Sequence, residues 1–191
     1  MSLLAAALLL VRRLPDVAFA WSLRLGLAIA LIGMGVALFM TSPTPAQLAP
    51  LSAGGSLTTI GAHSVGVPDG GPGLPIVGWS TVGGDLRVPH FVGLHALQVL
   101  PVIGWLLSRF TGFDTSHRLA LIWTAGLSYL GLVMALTWQA LRGQSLIAPD
   151  AAMFVVWGSL LGVGLLAAAG SILHSTRSSR LPAASLAAQM P

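Results

Sequence analysis

Four stretches of the chain are long, apolar and almost free of charged side chains: residues 17–40, 89–108, 119–141 and 150–174. A helix needs about 20 residues to cross a hydrocarbon layer of about 30 Å, and each stretch is about that long. Backbone N–H and C=O groups in lipid must find partners within the protein, and the strict alternation of a barrel strand is absent. The pattern therefore predicts an all-α membrane protein, a four-helix transmembrane bundle.

Charged residues are scarce in this sequence. They make up 7% of the 191 residues, and the mean hydropathy is +0.87. A soluble domain carries about 25% charged residues, so the main predicted partner of this chain is the lipid bilayer. The net charge of +4 comes without a cluster of basic and aromatic residues, which argues against nucleic acid. Cysteine and lysine are missing, which excludes disulfides, thiolate metal sites, iron–sulfur clusters and a retinal Schiff base.

The four spans divide the chain into segments of different character. Residues 1–16 form a short apolar N-terminal segment in which the apolar run precedes Arg12 and Arg13, the reverse of the order in a secretory signal. It is predicted as a short interfacial helix or as the tail of a longer span. Residues 41–88 form a long outer loop rich in glycine and proline, and residues 175–191 form a tail. Because long structureless loops are usually functional or disordered, this loop is the first place to look for a site.

The placement of the arginines predicts how the spans are oriented. Basic residues in short loops stay in the cytoplasm. With the N-terminus inside, seven arginines fall on the cytoplasmic side: Arg12, Arg13, Arg24, Arg109, Arg118, Arg177 and Arg180. Only Arg87 and Arg142 fall on the other side. Both termini are therefore predicted in the cytoplasm, and the loop of residues 41–88 is predicted in the periplasm or outside the cell.

Small residues recur four positions apart within the spans, in the pairs Gly26 with Ala30, Gly33 with Ala37, Gly131 with Ala135 and Gly158 with Gly162. Such faces let helix backbones approach closely, which replaces the hydrophobic drive that lipid cannot supply. They predict a tight bundle. The partner helix can belong to the same chain, to another membrane subunit or to a second copy, and the last pair suits a homo-oligomer.

The beginning of the second span gathers most of the polarity that a membrane would enclose. His95 and Gln98 lie three residues apart and share a helix face, whereas His90 points about 140° away from His95 at about 100° per residue. Pro101 removes a backbone hydrogen bond and kinks the helix beside these side chains. Polar groups at this depth favour a binding site or interhelical hydrogen bonds, and both interpretations stay open. The candidate ligand-binding or cofactor-binding residues are His95, Gln98, His90, Asp85, Arg87 and Trp79.

The histidines raise the question of a metal or haem. His63 in the loop can fold back toward His90 and His95, and three imidazoles would suit a transition metal such as zinc, copper or non-haem iron. Haem b usually takes imidazoles from facing helices at one depth, and no other span has a histidine near the depth of His95. The spacing matches no specific metal motif. Asp85, Arg87 and His90 lie where the second span begins. A salt bridge between Asp85 and Arg87 and a helix cap also explain these residues, without a ligand.

The helix His90-Phe-Val-Gly-Leu-His-Ala-Leu-Gln98, with the preceding Gly78-Trp-Ser-Thr-Val-Gly-Gly-Asp-Leu-Arg87, resembles segments of uncharacterised bacterial multi-pass inner-membrane proteins. The resemblance implies a bacterial inner (plasma) membrane as the location. It carries no known activity, so it gives no residue a role.

The spans contain no Ser-His-Asp order, phosphate loop or pair of carboxylates, which favours a protein that is not an enzyme. The sequence therefore predicts an integral membrane protein of unknown function that binds or senses a small ligand in a periplasmic-side pocket. The alternative is a haem-binding or metal-binding membrane redox protein that uses His90 and His95.

Overall fold

The computed structural model describes residues 14–110 and 112–178, with side chains described up to residue 173. In chain order the elements are α1 (Val17–Thr41), α2 (Pro45–Ser52), β1 (Ser64–Val65), β2 (Gly84–Asp85), α3 (Arg87–Arg109), α4 (Thr115–Leu141) and α5 (Ala151–Ser178). Helices α1, α3, α4 and α5 are long and apolar enough to cross a membrane, which confirms the prediction of four such helices. The predicted N-terminal segment of residues 1–16 lies almost wholly outside the described residues.

Aspartates cap the two helices that begin at the same end of the bundle. The side chain of Asp16 accepts a hydrogen bond from the N–H of Phe19 at 3.0 Å, and Asp114 accepts from the N–H of His117 at 2.9 Å. These bonds satisfy N–H groups that have no partner inside the helix. Because Asp114 caps α4, this helix begins at Thr115, whereas the apolar pattern alone predicted a span from residue 119.

Helices α1, α3 and α4 pack together as a three-helix core. The residues buried at its centre are Ile29, Ala96, Leu100 and Val133. Glycines bring α1 and α3 into backbone contact, as the small-residue pattern predicted for Gly26 and Gly33. A Cβ atom on Gly26 would lie 2.7 Å from the carbonyl oxygen of Ala96, and one on Gly33 would lie 2.7 Å from the Cα atom of Gly93. Close backbone approach of this kind is how helices associate in lipid.

Helix α5 packs on α4 and stands beside the three-helix core. Met153 is fully buried at the beginning of α5. Leu160 covers Gly131 of α4, where an added Cβ would lie 2.6 Å from the leucine Cδ2. A Cβ on Gly158 or Gly162 would meet nothing within 4 Å in the described chain, so their role in a homo-oligomer stays a prediction.

We call residues 42–86 the loop lobe, and the end of the bundle that they cover the loop end. The lobe contains α2 and the two short strands. The strands pair antiparallel, with Ser64 opposite Asp85 and Val65 opposite Gly84. This pair joins the middle of the lobe to the residues that lead directly into α3.

Strand β2 lies on the end of α4. A Cβ atom on Gly84 would overlap the carbonyl oxygen of Ala140, so a glycine is required for this contact. One residue further on, the N–H of Leu86 donates to the carbonyl of His63 at 2.9 Å. The loop lobe is therefore fixed to both α3 and α4.

Candidate functional site

Asp85 is the centre of a hydrogen-bonded cluster at the loop end. It is 3% exposed, and Arg87 donates to it twice, from Nε to Oδ1 at 3.0 Å and from Nη2 to Oδ2 at 2.7 Å. The N–H of Arg87 donates to Oδ1 at 3.0 Å and the N–H of Ser80 donates to Oδ2 at 2.8 Å. Burial raises the pKa of Asp85, but the bonds from Arg87 and Ser80 outweigh burial and hold this pKa below its ordinary value. The two carboxylate oxygens are saturated by these four donors, so the geometry favours the salt-bridge interpretation.

A chain of hydrogen bonds runs from this cluster to the turn between α4 and α5. The hydroxyl of Ser145 donates to the carbonyl of Ser80 at 3.0 Å. Nε2 of Gln139 in turn donates to the carbonyl of Ser145 at 2.8 Å. All three side chains are buried, and Oε1 of Gln139 has no partner in the described chain. These hydrogen bonds connect the loop lobe to α4, and among the described residues they leave the buried Oε1 of Gln139 without a donor.

Asp69 is the second carboxylate of the lobe, and it is partly exposed. It accepts hydrogen bonds from the N–H of Ser64 at 2.8 Å and of His63 at 3.2 Å. Nδ1 of His63 lies 3.4 Å from Oδ1 of Asp69 and 4.0 Å from Oδ1 of Asp85. Burial raises the pKa of Asp69, but the bonds from Ser64 and His63 outweigh burial and hold this pKa below its ordinary value. Asp69 is therefore ionised at neutral pH.

An open cleft of ≈ 620 Å³ lies in the loop lobe beside Asp69. Its lining residues are Thr44, Ala46, Gln47, Thr59, Gly61, Ala62, Ser64, Gly66, Val67, Pro68 and Asp69. Among these described residues Asp69 is the only ionisable one, and the other polar side chains of the lining are those of Thr44, Gln47, Thr59 and Ser64. Small-molecule sites usually have volumes of about 300–1,000 Å³, so the cleft has a suitable size.

Gln47 holds the walls of this cleft together. Its Oε1 accepts from the N–H groups of Thr44 and Gly61, each at 2.9 Å. Its Nε2 donates to the carbonyls of Thr59 and Gly61, each at 3.2 Å. Both ends of the amide are engaged with backbone groups, so Gln47 shapes the cleft rather than offering a free group to a ligand.

His90 makes an interhelical hydrogen bond. Its Nδ1 lies 2.8 Å from the carbonyl oxygen of Gly33 in α1, and a carbonyl only accepts, so Nδ1 carries the hydrogen. Tyr129 of α4 makes a similar bond, from its hydroxyl to the carbonyl of Val92 at 2.7 Å. Both bonds tie α3 to its neighbours. For His90 the geometry therefore favours a role in interhelical hydrogen bonding over a role in the predicted binding pocket.

His95 and Gln98 share a face, as the helical spacing predicted, and this face is exposed on the outside of α3. Nδ1 of His95 lies 2.8 Å from the carbonyl of Phe91 in its own helix, and the two rings lie 4.0 Å apart. Trp79 of the loop lobe packs edge-on against Phe91 with ring centroids 5.6 Å apart. Trp79, Phe91 and His95 therefore form an aromatic cluster on the outer side of α3, and none of them lines the cavity beside Asp85.

The structure does not bring the predicted metal set together. His63 lies against Asp69, His90 is bonded to α1, and His95 faces outward. Within residues 14–110 and 112–173, no group of three or more His, Cys, Asp or Glu side chains is placed to hold a metal ion.

A second cleft, of ≈ 610 Å³, opens between α4 and α5 at the end opposite the loop lobe. Its ionisable wall consists of Asp114 and His117, with Ser116 between them. Asp114 accepts from the N–H of His117 at 2.9 Å, from the Ser116 hydroxyl at 2.7 Å and from Nδ1 of His117 at 2.7 Å. These bonds, led by the one from the His117 N–H, lower the pKa of Asp114. The polar side chains of this cleft are thus engaged within the chain. Asp114, Ser116 and His117 take part in the cap of α4, and the hydroxyl of Ser171 donates to the carbonyl of Ala167 at 2.9 Å.

Comparison with known proteins gives no match to this chain among family models, curated proteins or solved structures. The resemblance of residues 78–98 to bacterial membrane proteins stays a prediction.

The sequence does not single out Asp69 or Gln47, and it indicates only a structural role for Gln139 in the third span. Asp69 stands in Pro68-Asp-Gly70, a combination typical of turns, so the turn itself explains the aspartate. Gln47 and Gln139 act on backbone groups that only the folded chain brings near. A sequence pattern gives no signal for such partners.

Proposed function

We propose that this chain is a multi-pass integral membrane protein, not an enzyme, that binds or senses a small ligand in the cleft of the loop lobe. The observation that supports the proposal is the cleft of ≈ 620 Å³ with the ionised Asp69 in its wall. The proposed site lies beside the pocket that the sequence predicted, not inside it. Asp85 and Arg87 are paired with each other, and the side chains of His95 and Gln98 face outward from α3. These four residues are therefore not part of the proposed site.

The walls of the cleft favour a small ligand that is cationic or neutral and polar. Asp69 carries its negative charge at neutral pH, and 38% of its side chain is exposed. No described lining residue is cationic, so an anion would meet the negative charge of Asp69 and no opposite charge in the described lining. A hydrogen bond from an ammonium group to a carboxylate is roughly twice as strong as one between neutral groups. Hydroxyls of Thr44 and Thr59 can accept from or donate to further polar groups of the same ligand.

A ligand at Asp69 has a short connection to a membrane helix, which favours sensing. Asp69 accepts from the N–H groups of His63 and Ser64, and the carbonyl of His63 accepts from the N–H of Leu86 at 2.9 Å. Leu86 directly precedes α3, which begins at Arg87. A ligand that draws Asp69 toward the cleft therefore weakens its bonds to the strand pair that leads into α3.

The proposed location is a bacterial inner (plasma) membrane, with both termini in the cytoplasm and the loop lobe on the periplasmic side. The support is the bias of the arginines toward the end of the bundle opposite the loop lobe. A periplasmic lobe would expose the cleft to small solutes.

Thermal unfolding of the purified protein in dodecyl maltoside tests the site, with ethanolamine and putrescine as cationic probes and acetate as an anionic probe. We expect at least one ammonium probe to raise Tm and acetate to leave it unchanged. The Asp69→Asn variant should lose the shift, because its amide offers no charge to the probe.

The matched control is Asp114→Asn, which removes the carboxylate of the second cleft and should keep the shift. Two outcomes would overturn the proposal. One is that no ammonium probe raises Tm, and the other is that the shift survives in Asp69→Asn.

A haem-binding or metal-binding redox protein that uses His90 and His95 is the second candidate, and one observation favours it. Nδ1 of each ring lies 2.8 Å from a backbone carbonyl, of Gly33 and Phe91 respectively, so each Nε2 keeps its lone pair. Metal-ligating imidazoles usually have this arrangement. The rings face different neighbours, so each would need further ligands from a cofactor or another chain. A visible-range spectrum and metal analysis of the purified protein test this candidate, and a featureless spectrum without bound metal would contradict it.

A further inference from the structure

A small cavity lies beside the Asp85 cluster, where the end of α4 meets the turn to α5. Its volume is ≈ 10 Å³, and its polar walls are Asp85, Gln139 and Gln144. The remaining lining residues are apolar. A cavity needs about 10–15 Å³ of such volume and at least two polar partners to hold a water molecule. The cavity therefore has the size of a single water.

Two unpartnered amide oxygens belong to this cavity. Gln139 is 1% exposed, and its Nε2 donates to the carbonyl of Ser145 at 2.8 Å, which fixes the orientation of the amide. Its Oε1 is buried without a partner, and so is Oε1 of Gln144. The side chain of Gln144 also lies close enough to Asp150 to help lower the pKa of this carboxylate. Each glutamine thus leaves a buried acceptor without a donor.

The third polar wall does not compete for a ligand. The oxygens of Asp85 already receive four hydrogen bonds, and Arg87 neutralises the charge of the carboxylate. The cavity therefore offers two acceptors without partners, and the described lining residues carry no uncompensated charge. A molecule with two donor hydrogens and no charge fits this arrangement.

We propose that this cavity is a binding site for one water molecule, which donates one hydrogen bond to Oε1 of Gln139 and one to Oε1 of Gln144. Such a water links the last turn of α4 to the following turn. Because Gln139 also leads through Ser145 and Ser80 to the Asp85 cluster, the water completes the hydrogen bonding between the loop lobe, α4 and α5.

Thermal unfolding of Gln139→Met, Gln144→Met and the double variant gives the first test. Either single substitution removes one partner of the water, so the second substitution has less to remove. We expect the double variant to lower Tm by less than the sum of the two single shifts. The matched control is the double variant of Gln139→Met with Gln98→Met, a position on the outside of α3. In this control the two single shifts of Tm should add.

A density map of the wild-type protein at about 2 Å resolution gives the deciding test. We expect density for a water at about 2.7–3.2 Å from both Oε1 atoms. A map that resolves other buried waters and leaves this cavity empty would overturn the proposal, whatever the variants do. A Tm that rises with sodium or ammonium chloride in the wild type and not in Gln139→Met would also overturn it, because the occupant would then be a cation.

Discussion

Gly33 in α1 and Gly93 in α3 lie backbone against backbone, and the carbonyl of the same Gly33 accepts a hydrogen bond from Nδ1 of His90 at 2.8 Å. Close packing and interhelical hydrogen bonds are the two main sources of helix association in lipid. Both act here at one position, so the contact between α1 and α3 should be sensitive to single substitutions.

Gly33→Ala should lower the stability of the bundle. An added Cβ would lie 2.7 Å from Gly93, so the helices must separate, and overpacking of this kind costs about 1–3 kcal/mol. The control is Gly35→Ala, where an added Cβ meets nothing within 4 Å. Thermal unfolding in detergent measures both variants. Equal Tm values for the two would contradict the packing described here.

His90→Leu should destabilise the protein more than His95→Leu. The first variant removes an interhelical hydrogen bond, which is worth about 0.5–1.5 kcal/mol, whereas His95 is bonded only to its own helix on the exposed face. The two variants can be compared by thermal unfolding under the same conditions. A larger loss for His95→Leu would indicate that the outer face of α3 is covered by a partner.

The four spans could be predicted from the sequence because length and apolar composition are local properties. The relative directions of His90 and His95 were also predictable, since 100° per residue fixes them. The spacing does not say which of two faces turns toward the bundle. That choice depends on glycines such as Gly93, which bring one face of α3 against α1.

The fold of the loop lobe could not be predicted, because long-range backbone partners determine it. Gln47 reaches Gly61, and Leu86 pairs with His63. None of these pairs repeats with a helical or strand period. The cleft of the loop lobe depends on the same pairs, so its lining residues were missed together with the fold of the lobe.

Asp85→Asn should loosen the loop lobe. The substitution leaves Arg87 without its ion pair, and it replaces one of the two oxygens that accept the four hydrogen bonds by an amino group. Breaking a fully buried pair costs about 3–5 kcal/mol, and because a third of the Arg87 side chain is exposed we expect about 2–3 kcal/mol. Limited proteolysis of the lobe and thermal unfolding both report the change. Arg142→Gln breaks a pair in which both side chains are about a third exposed, so it should have a smaller effect. A larger effect of Arg142→Gln would contradict the central role of Asp85.

Stability should be constant at neutral pH and fall in acid. The pKa values of Asp69 and Asp85 are below the ordinary 3.8 in the folded protein, so near that pH the unfolded chain binds more protons than the folded chain. The stability from both groups is therefore fully present above about pH 5 and is lost as the pH falls through the folded pKa values. Thermal unfolding at pH 7, 5, 4 and 3 tests this, with a smaller acid loss expected for Asp85→Asn. A Tm as high at pH 3 as at pH 7 would contradict the role of these carboxylates.

The labelling of single cysteines in whole cells tests most directly whether the chain crosses the membrane with the loop lobe outside. The sequence has no cysteine, so Ser56→Cys in the lobe and Gly112→Cys between α3 and α4 each report one exposed position. The four-span arrangement predicts that a membrane-impermeant maleimide labels Ser56→Cys from outside, and labels Gly112→Cys only after the membrane is permeabilised. Labelling of both positions from the same side would contradict it.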